Sequence, residues 1–128
     1  MGHSVKQTMS FRFLTSVAGG SEGVSPDALS SLLRITKGEL ATASGLSRDA
    51  LSKRARINSL TTQKRLREIT EIINRVIPWA GSELGAYAWY RSQPLPSFGD
   101  ATAEDLVRRG EGDAVRNYLA RISQGGFA

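Results

Sequence analysis

Cations, rather than nucleophiles or metal ligands, are the chemistry-bearing residues that cluster in this chain. Arg48, Lys53, Arg54 and Arg56 stand close together against a single nearby acid, Asp49. Guanidinium and ammonium groups at that density suit the phosphate backbone of a nucleic acid. The DNA-facing candidates are Ser47, Arg48, Ser52, Lys53 and Arg56. Of these, Arg48 and Ser52 are expected at base edges, and Lys53 and Arg56 at phosphates. Bond-making chemistry finds no such support. The chain has no cysteine, which excludes disulfides and thiolate metal sites. Its one histidine, His3, lies in a start with little periodicity. The carboxylates fall on surface-like helix positions, with no glycine-rich phosphate loop to join them. No catalytic residue, cofactor site or metal site is expected, and no enzymatic activity.

The elements that must position the cations lie in residues 36–57. Leu40, Ala41 and Ala43 give a first short helix a small apolar inner face. Gly45 takes the positive φ that ends it, and Ser47 is the N-cap of a second helix whose inner positions are Ala50, Leu51 and Ala55. The small Ala41 allows close approach, and Leu46 plugs the corner. This is the layout of a helix-turn-helix, with Ser47 onward offered to the DNA major groove. Arg54 stands where such a helix usually carries a late apolar anchor. The net charge of +5 follows the same division. Residues 34–75 hold ten basic side chains (Arg34, Lys37, Arg48, Lys53, Arg54, Arg56, Lys64, Arg65, Arg67, Arg75) against Glu39, Asp49, Glu68 and Glu71. After Arg75 there are five basic and six acidic groups, so the back half is close to neutral.

Periodicity around that corner is helical throughout, and no stretch argues for a sheet. Residues 1–25 carry a loose glycine-rich run and are expected to be flexible, with Phe11, Phe13 and Leu14 in the longest apolar patch. Pro26 after Ser25 starts a first helix with Ala28, Leu29, Leu32 and Leu33 on one face, ending near Ile35. Thr61 or Thr62 caps the longest helix, which Pro78 ends near Ile77. Its Leu66, Ile69, Ile72, Ile73, Val76 and Ile77 form one stripe, which suits core or a dimer seam. Residues 82–93 give a shorter helix with Leu84, Tyr87, Ala88 and Tyr90 inward. Pro94, Pro96, Phe98 and Gly99 make an ordered turn, and Thr102 starts a short helix anchored by Leu106 and Val107. A last helix from near Asp113 places Val115, Tyr118, Leu119 and Ile122 on one face and runs out into a tail from Gln124 to Ala128. The expected fold is all-α. No apolar run approaches the roughly 20 residues of a membrane span, and the start lacks a signal-peptide pattern, so a cytoplasmic protein is expected.

The order Trp89, Arg91, Pro94, Phe98–Gly99, Thr102, Asp105–Leu106, then Val115, Leu119, Arg121–Ile122 and Gly125 resembles the C-terminal domain of the Xre-like MbcA/ParS-type antitoxins of RES–Xre type II toxin–antitoxin systems. In that family the segment commonly reads W, then L, then P-N-P-x-L-G-G-x-x-P-x-x-L-L, a short link, and V-x-x-x-L-x-x-I-x-x-G. This chain has QPLPSFGDATAEDLV and departs at Asp100 and Ala103, where family members often carry Gly and Pro. The front half is similar too, with an Xre-like helix-turn-helix from Leu40 to Arg56 followed by a long linking helix.

The resemblance implies a three-part chain. Residues 1–25 form a flexible segment, residues 26–77 a helix-turn-helix region for DNA binding and dimerisation, and residues 78–128 a toxin-binding domain with a C-terminal tail. Its partners would be a cognate RES-domain, NAD-using toxin and operator DNA, with a homodimer inside a larger toxin–antitoxin complex. The tail would obstruct the toxin's active site while the front half autoregulates the operon. The toxin-facing candidates are Trp89, Arg91, Arg121, Gln124, Gly125, Gly126, Phe127 and Ala128. The alternative is a stand-alone helix-turn-helix repressor whose second half serves only dimerisation.

Overall fold

A computed structural model of the chain describes residues 23–125. The described part is mostly helical, and Leu95 and Ala101 pair in an isolated antiparallel bridge. Helix α1 spans Pro26–Leu33, α2 Lys37–Ser44, α3 Arg48–Ser52, α4 Arg54–Ile57 and α5 Leu60–Ala80. Helix α6 covers Glu83–Ser92, a 3-10 turn Pro96–Phe98, α7 Ala103–Arg108 and α8 Gly112–Gly125.

Helix starts follow side-chain oxygens that satisfy otherwise unpaired N–H groups. Ser25, Thr36, Ser47, Ser59, Ser82 and Thr102 each accept a backbone N–H at the head of α1, α2, α3, α5, α6 and α7. Each such cap is worth about 1 kcal/mol. Thr36 with Glu39, and Thr102 with Asp105, close reciprocal capping boxes. The cap of α5 is therefore Ser59 rather than Thr61 or Thr62. The end of α5 also differs from expectation. Pro78 lies inside the helix, which continues to Ala80 and stops at Gly81 with φ 88°. A proline in the last turn forfeits only its own bond to the residue 74 carbonyl. The Gly81 N–H then closes the helix on the Ile77 carbonyl at 2.8 Å. Helix α1 ends two residues early, because Arg34 adopts a left-handed φ of 58°.

The core is one continuous cluster. The stripe of α5, Leu66, Ile69, Ile72, Ile73, Val76 and Ile77, is buried to between 0 and 2% exposure and packs mainly on α6. All six side chains are covered within one chain, so the stripe presents no surface for a second copy. Leu29 and Leu33 from α1, Leu40, Ala41 and Ala43 from α2, and Leu51 from α3 join it from the front. Ala86, Tyr87, Tyr90, Leu106, Val107, Val115 and Leu119 join it from the back. Across residues 77 and 78 neither α5 nor this core is interrupted.

On α6 the inward residues are Ala86, Tyr87 and Tyr90, whereas Leu84 and Ala88 are exposed. The Tyr90 hydroxyl donates to the Ala43 carbonyl at 2.6 Å, which joins α6 to α2 across the core. Burial raises the Tyr90 phenol well above its ordinary pKa, with Glu104 adding to the effect.

Residues 23–25, expected to be flexible, are held. The Val24 N–H donates to Gln63 Oε1 at 2.9 Å and the Gln63 amide returns a bond to the Val24 carbonyl at 3.0 Å. The rest of the first segment, with Phe11, Phe13 and Leu14, lies outside the described residues.

Candidate functional site

The corner between α2 and α3 has the local chemistry that its sequence calls for. Gly45 ends α2 with φ 71°, and its N–H donates to the Thr42 carbonyl. Ser47 caps α3 by accepting the Ala50 N–H at 3.1 Å. Ala50 and Leu51 face inward, Leu51 with no exposed surface, and Leu46 is half-buried against the core. The second helix is not continuous, however. It stops at Ser52, Lys53 is extended (φ −93°, ψ 123°), and a separate turn, α4, follows. Ala55, expected inside, is exposed.

The break follows from Arg54. Continuing the helical period from Ala50 and Leu51 would point the Arg54 guanidinium into the core, where a charge without a partner is costly. The extended Lys53 instead carries Arg54 to the surface, where it lines an open groove of about 600 Å³ with Ser52, Asn58, Gln63, Val24 and Asp27. Ser47, Arg48, Ser52, Lys53 and Arg56 are all exposed. Two of them are partly occupied: the Ser47 hydroxyl by its cap, and the Ser52 hydroxyl by donation to the Arg48 carbonyl at 2.9 Å. Arg48, Lys53, Arg54 and Arg56 form no ion pair with a described residue.

Not every cation of the front half shares that face. Arg65 turns inward, and its Nη1 donates to both the Ser44 and Val107 carbonyls at 2.9 Å while Nε lies 3.8 Å from Glu68. Lys37 pairs with Asp27 at 2.9 Å. The basic field of residues 34–75 is thus weaker outward than its count of charges suggests.

The residues assigned to a protein partner are scattered in their roles. Trp89 is half-buried and packs against the core. Arg91 is held within the chain, with Nε 3.3 Å from Glu104 Oε1 and its guanidinium 6.0 Å from the centre of the Tyr87 ring. Arg121 is exposed on α8. Gln124 and Gly125 belong to α8, so the helix runs further than the tail reading allowed. Gly126, Phe127 and Ala128 lie outside the described residues.

Two clusters had no signal in the sequence. Arg116 on α8 binds Glu71 and Asp113, with Glu68 at 3.9 Å, and the hydrogen bond from Arg116 holds the Asp113 carboxyl below its ordinary pKa. Beside Arg91, the Glu104 Oε2 and the Tyr87 hydroxyl are buried with no hydrogen-bond partner among the described residues. Apart from the one-turn pair Asp113–Arg116, these pairings span more than a dozen residues in the chain, beyond any local spacing rule. Among the described residues, no helix is long and apolar enough to cross a membrane. Compared with protein-family models, with curated proteins and with solved structures, the chain matches none.

Proposed function

We propose that this chain is the antitoxin of a RES–Xre type II toxin–antitoxin pair. It binds operator DNA through the helix-turn-helix formed by α2 and α3, and neutralises a RES-domain, NAD-using toxin by occluding its active site with the C-terminal tail. It contributes no chemistry of its own and works in the cytoplasm. As a homodimer it would set two α3 helices about one DNA turn apart. The dimer contact would lie outside the isoleucine stripe of α5, which is buried within the chain.

The observation that carries this reading is the turn after α6. Gly99 and Asp100 adopt consecutive left-handed conformations, φ 66° and 67°. Those are the two positions at which the resembled pattern carries Gly-Gly, the residue type that takes such a backbone without strain. Ala103 is the first residue of α7, the position at which proline is best tolerated and at which the pattern has proline. Both departures from the pattern therefore fall where the local geometry accounts for the family's residue. That supports the resemblance independently of the letters themselves. Exposure of the cations from Arg48 to Arg56 supports the DNA-binding half.

Truncation after Ser123 tests the neutralising role. The shortened chain is expected to keep DNA binding and to lose protection against a co-expressed RES toxin. Survival of protection would remove occlusion by the tail, whereas a full chain that binds DNA but gives no protection would favour the stand-alone repressor whose second half serves only dimerisation. For the DNA face, Lys53→Gln and Arg56→Gln should each lower the salt slope of operator binding by about one. An unchanged slope would take that residue off the interface.

A further inference from the structure

The back half is close to neutral in sequence, yet it delivers two arginines to the corner that carries α3. Arg108 and Arg109 end α7, are exposed, and line an open groove of about 370 Å³ with Gly45 and Asp105. The approach is close: a Cβ built on Gly45 would stand 3.1 Å from the Arg108 Cα. It is also fixed, because one nitrogen of Arg65 binds the carbonyls of Ser44 and Val107, the residues just before Gly45 and Arg108. The other arginines turned towards the back half, Arg65, Arg91 and Arg116, have acidic partners within the chain. Arg108 and Arg109 form no ion pair with a described residue. We propose that Arg108 and Arg109 form a second phosphate-contacting site, continuous with the corner between α2 and α3, on the backbone of bound duplex DNA.

Electrostatics at the groove agree with that occupant. Two helix C-termini meet there, and carbonyl ends carry partial negative charge that would repel a phosphate. Arg65 neutralises both ends by donating to Ser44 and Val107. Of the titratable groups at the groove, Asp105 is the one acid, and its Oδ2 accepts the Thr102 N–H at the far end of α7. Two guanidinium groups against one carboxylate leave the groove positive. A stabilising interaction of Arg108 with the α7 dipole explains a basic residue in the last turn, but not its placement beside Gly45.

The proposal rests on the DNA-binding reading of α3, and the test separates the two. Binding of the full chain to its operator duplex and to an unrelated duplex is followed by fluorescence anisotropy across a salt series. Arg108→Gln and Arg109→Gln are each expected to lower the slope by about one on both duplexes, because phosphate contacts carry no sequence information. Between 50 and 200 mM salt the double variant should then lose about tenfold less affinity than the unmodified chain. Arg75→Gln, on the groove between α5 and α8, removes one charge elsewhere and should leave the slope unchanged. An unmodified chain that binds neither duplex overturns both readings. Binding that survives in the double variant with its full slope overturns this one alone, as does an equal fall with Arg75→Gln. Both arginines are exposed, so unchanged thermal unfolding of the variants is expected and checks the fold.

Discussion

Two of the described side chains occupy backbone conformations that favour glycine. Arg34, at the end of α1, has φ 58°, and Asp100, after the 3-10 turn, has φ 67°. A left-handed conformation costs an ordinary L-residue about 1–2 kcal/mol, and aspartate less, because its short side chain tolerates that region. Glycine removes the steric cost but adds about 0.5–1 kcal/mol of unfolded-chain entropy. Arg34→Gly is therefore expected to stabilise the chain by roughly 0.5–1 kcal/mol, and Asp100→Gly by less. Urea midpoints for the two variants check this, and a fall at Arg34→Gly would mean that its side chain makes a compensating contact. Arg34 N–H already bonds the Ser31 carbonyl at 3.2 Å, a bond that glycine preserves.

Single residues also decide where elements end, and here the sequence is legible only in part. The helix starts at Pro26, Ser47 and Thr102, the left-handed Gly45, and the apolar period of α5 are all local, and each was readable from spacing. The inward face of α6 was readable only in part: Tyr87 and Tyr90 face inward as expected, but Leu84 and Ala88 are exposed and Ala86 is buried. Its run from Leu84 to Tyr90 is apolar nearly all round, so periodicity does not choose a face. The Ala43 carbonyl chooses instead, by accepting the buried Tyr90 hydroxyl. Arg65 reads as one more surface cation until two carbonyls from distant segments are brought to it. The split between α3 and α4 has a testable cause. Arg54→Leu supplies the apolar anchor that the helical period asks for, and is expected to join the two helices. Burying that side chain should stabilise the chain by about 1–2 kcal/mol, with a small gain in far-ultraviolet helical signal. If stability and helical signal are unchanged, the break has another origin. At α7 the capping box makes the opposite prediction: Thr102→Ala should cost about 1 kcal/mol. The backbone hydrogen bond from Thr102 holds the Asp105 carboxyl below its ordinary pKa. A carboxyl depressed on folding contributes stability above its unfolded pKa, and loses that contribution as pH falls through the folded value. Thr102→Ala keeps that N–H, so its deficit should change little with pH, whereas the deficit of Asp105→Asn should be full at neutral pH and shrink in acid.

At the scale of the whole molecule, the front half is completed by the back half. The stripe of α5 is closed by α6, Tyr90 reaches Ala43 on α2, and Arg65 ties the end of α2 to the end of α7. Leu66, Ile69, Ile72, Ile73, Val76 and Ile77 at about 1.5–3 kcal/mol each represent on the order of 10 kcal/mol of burial. That is comparable to the entire net stability of a small domain. A fragment ending at Ile77 would expose much of this stripe, and would leave the Ala43 carbonyl without the Tyr90 hydroxyl that donates to it. It is expected to lack cooperative thermal unfolding and to bind duplex DNA only weakly, with residues 78–128 added separately restoring both in part. Circular dichroism melts and anisotropy on the fragment, alone and mixed with the second piece, measure this. A fragment that melts cooperatively by itself, with the DNA affinity of the full chain, would show that residues 26–77 stand as an independent unit. The contacts of α6 and α7 would then only dock onto a finished core. The expectation is the reverse, because the same side chains that make the α5 stripe apolar on both sides of its packing face are covered by residues from the second half.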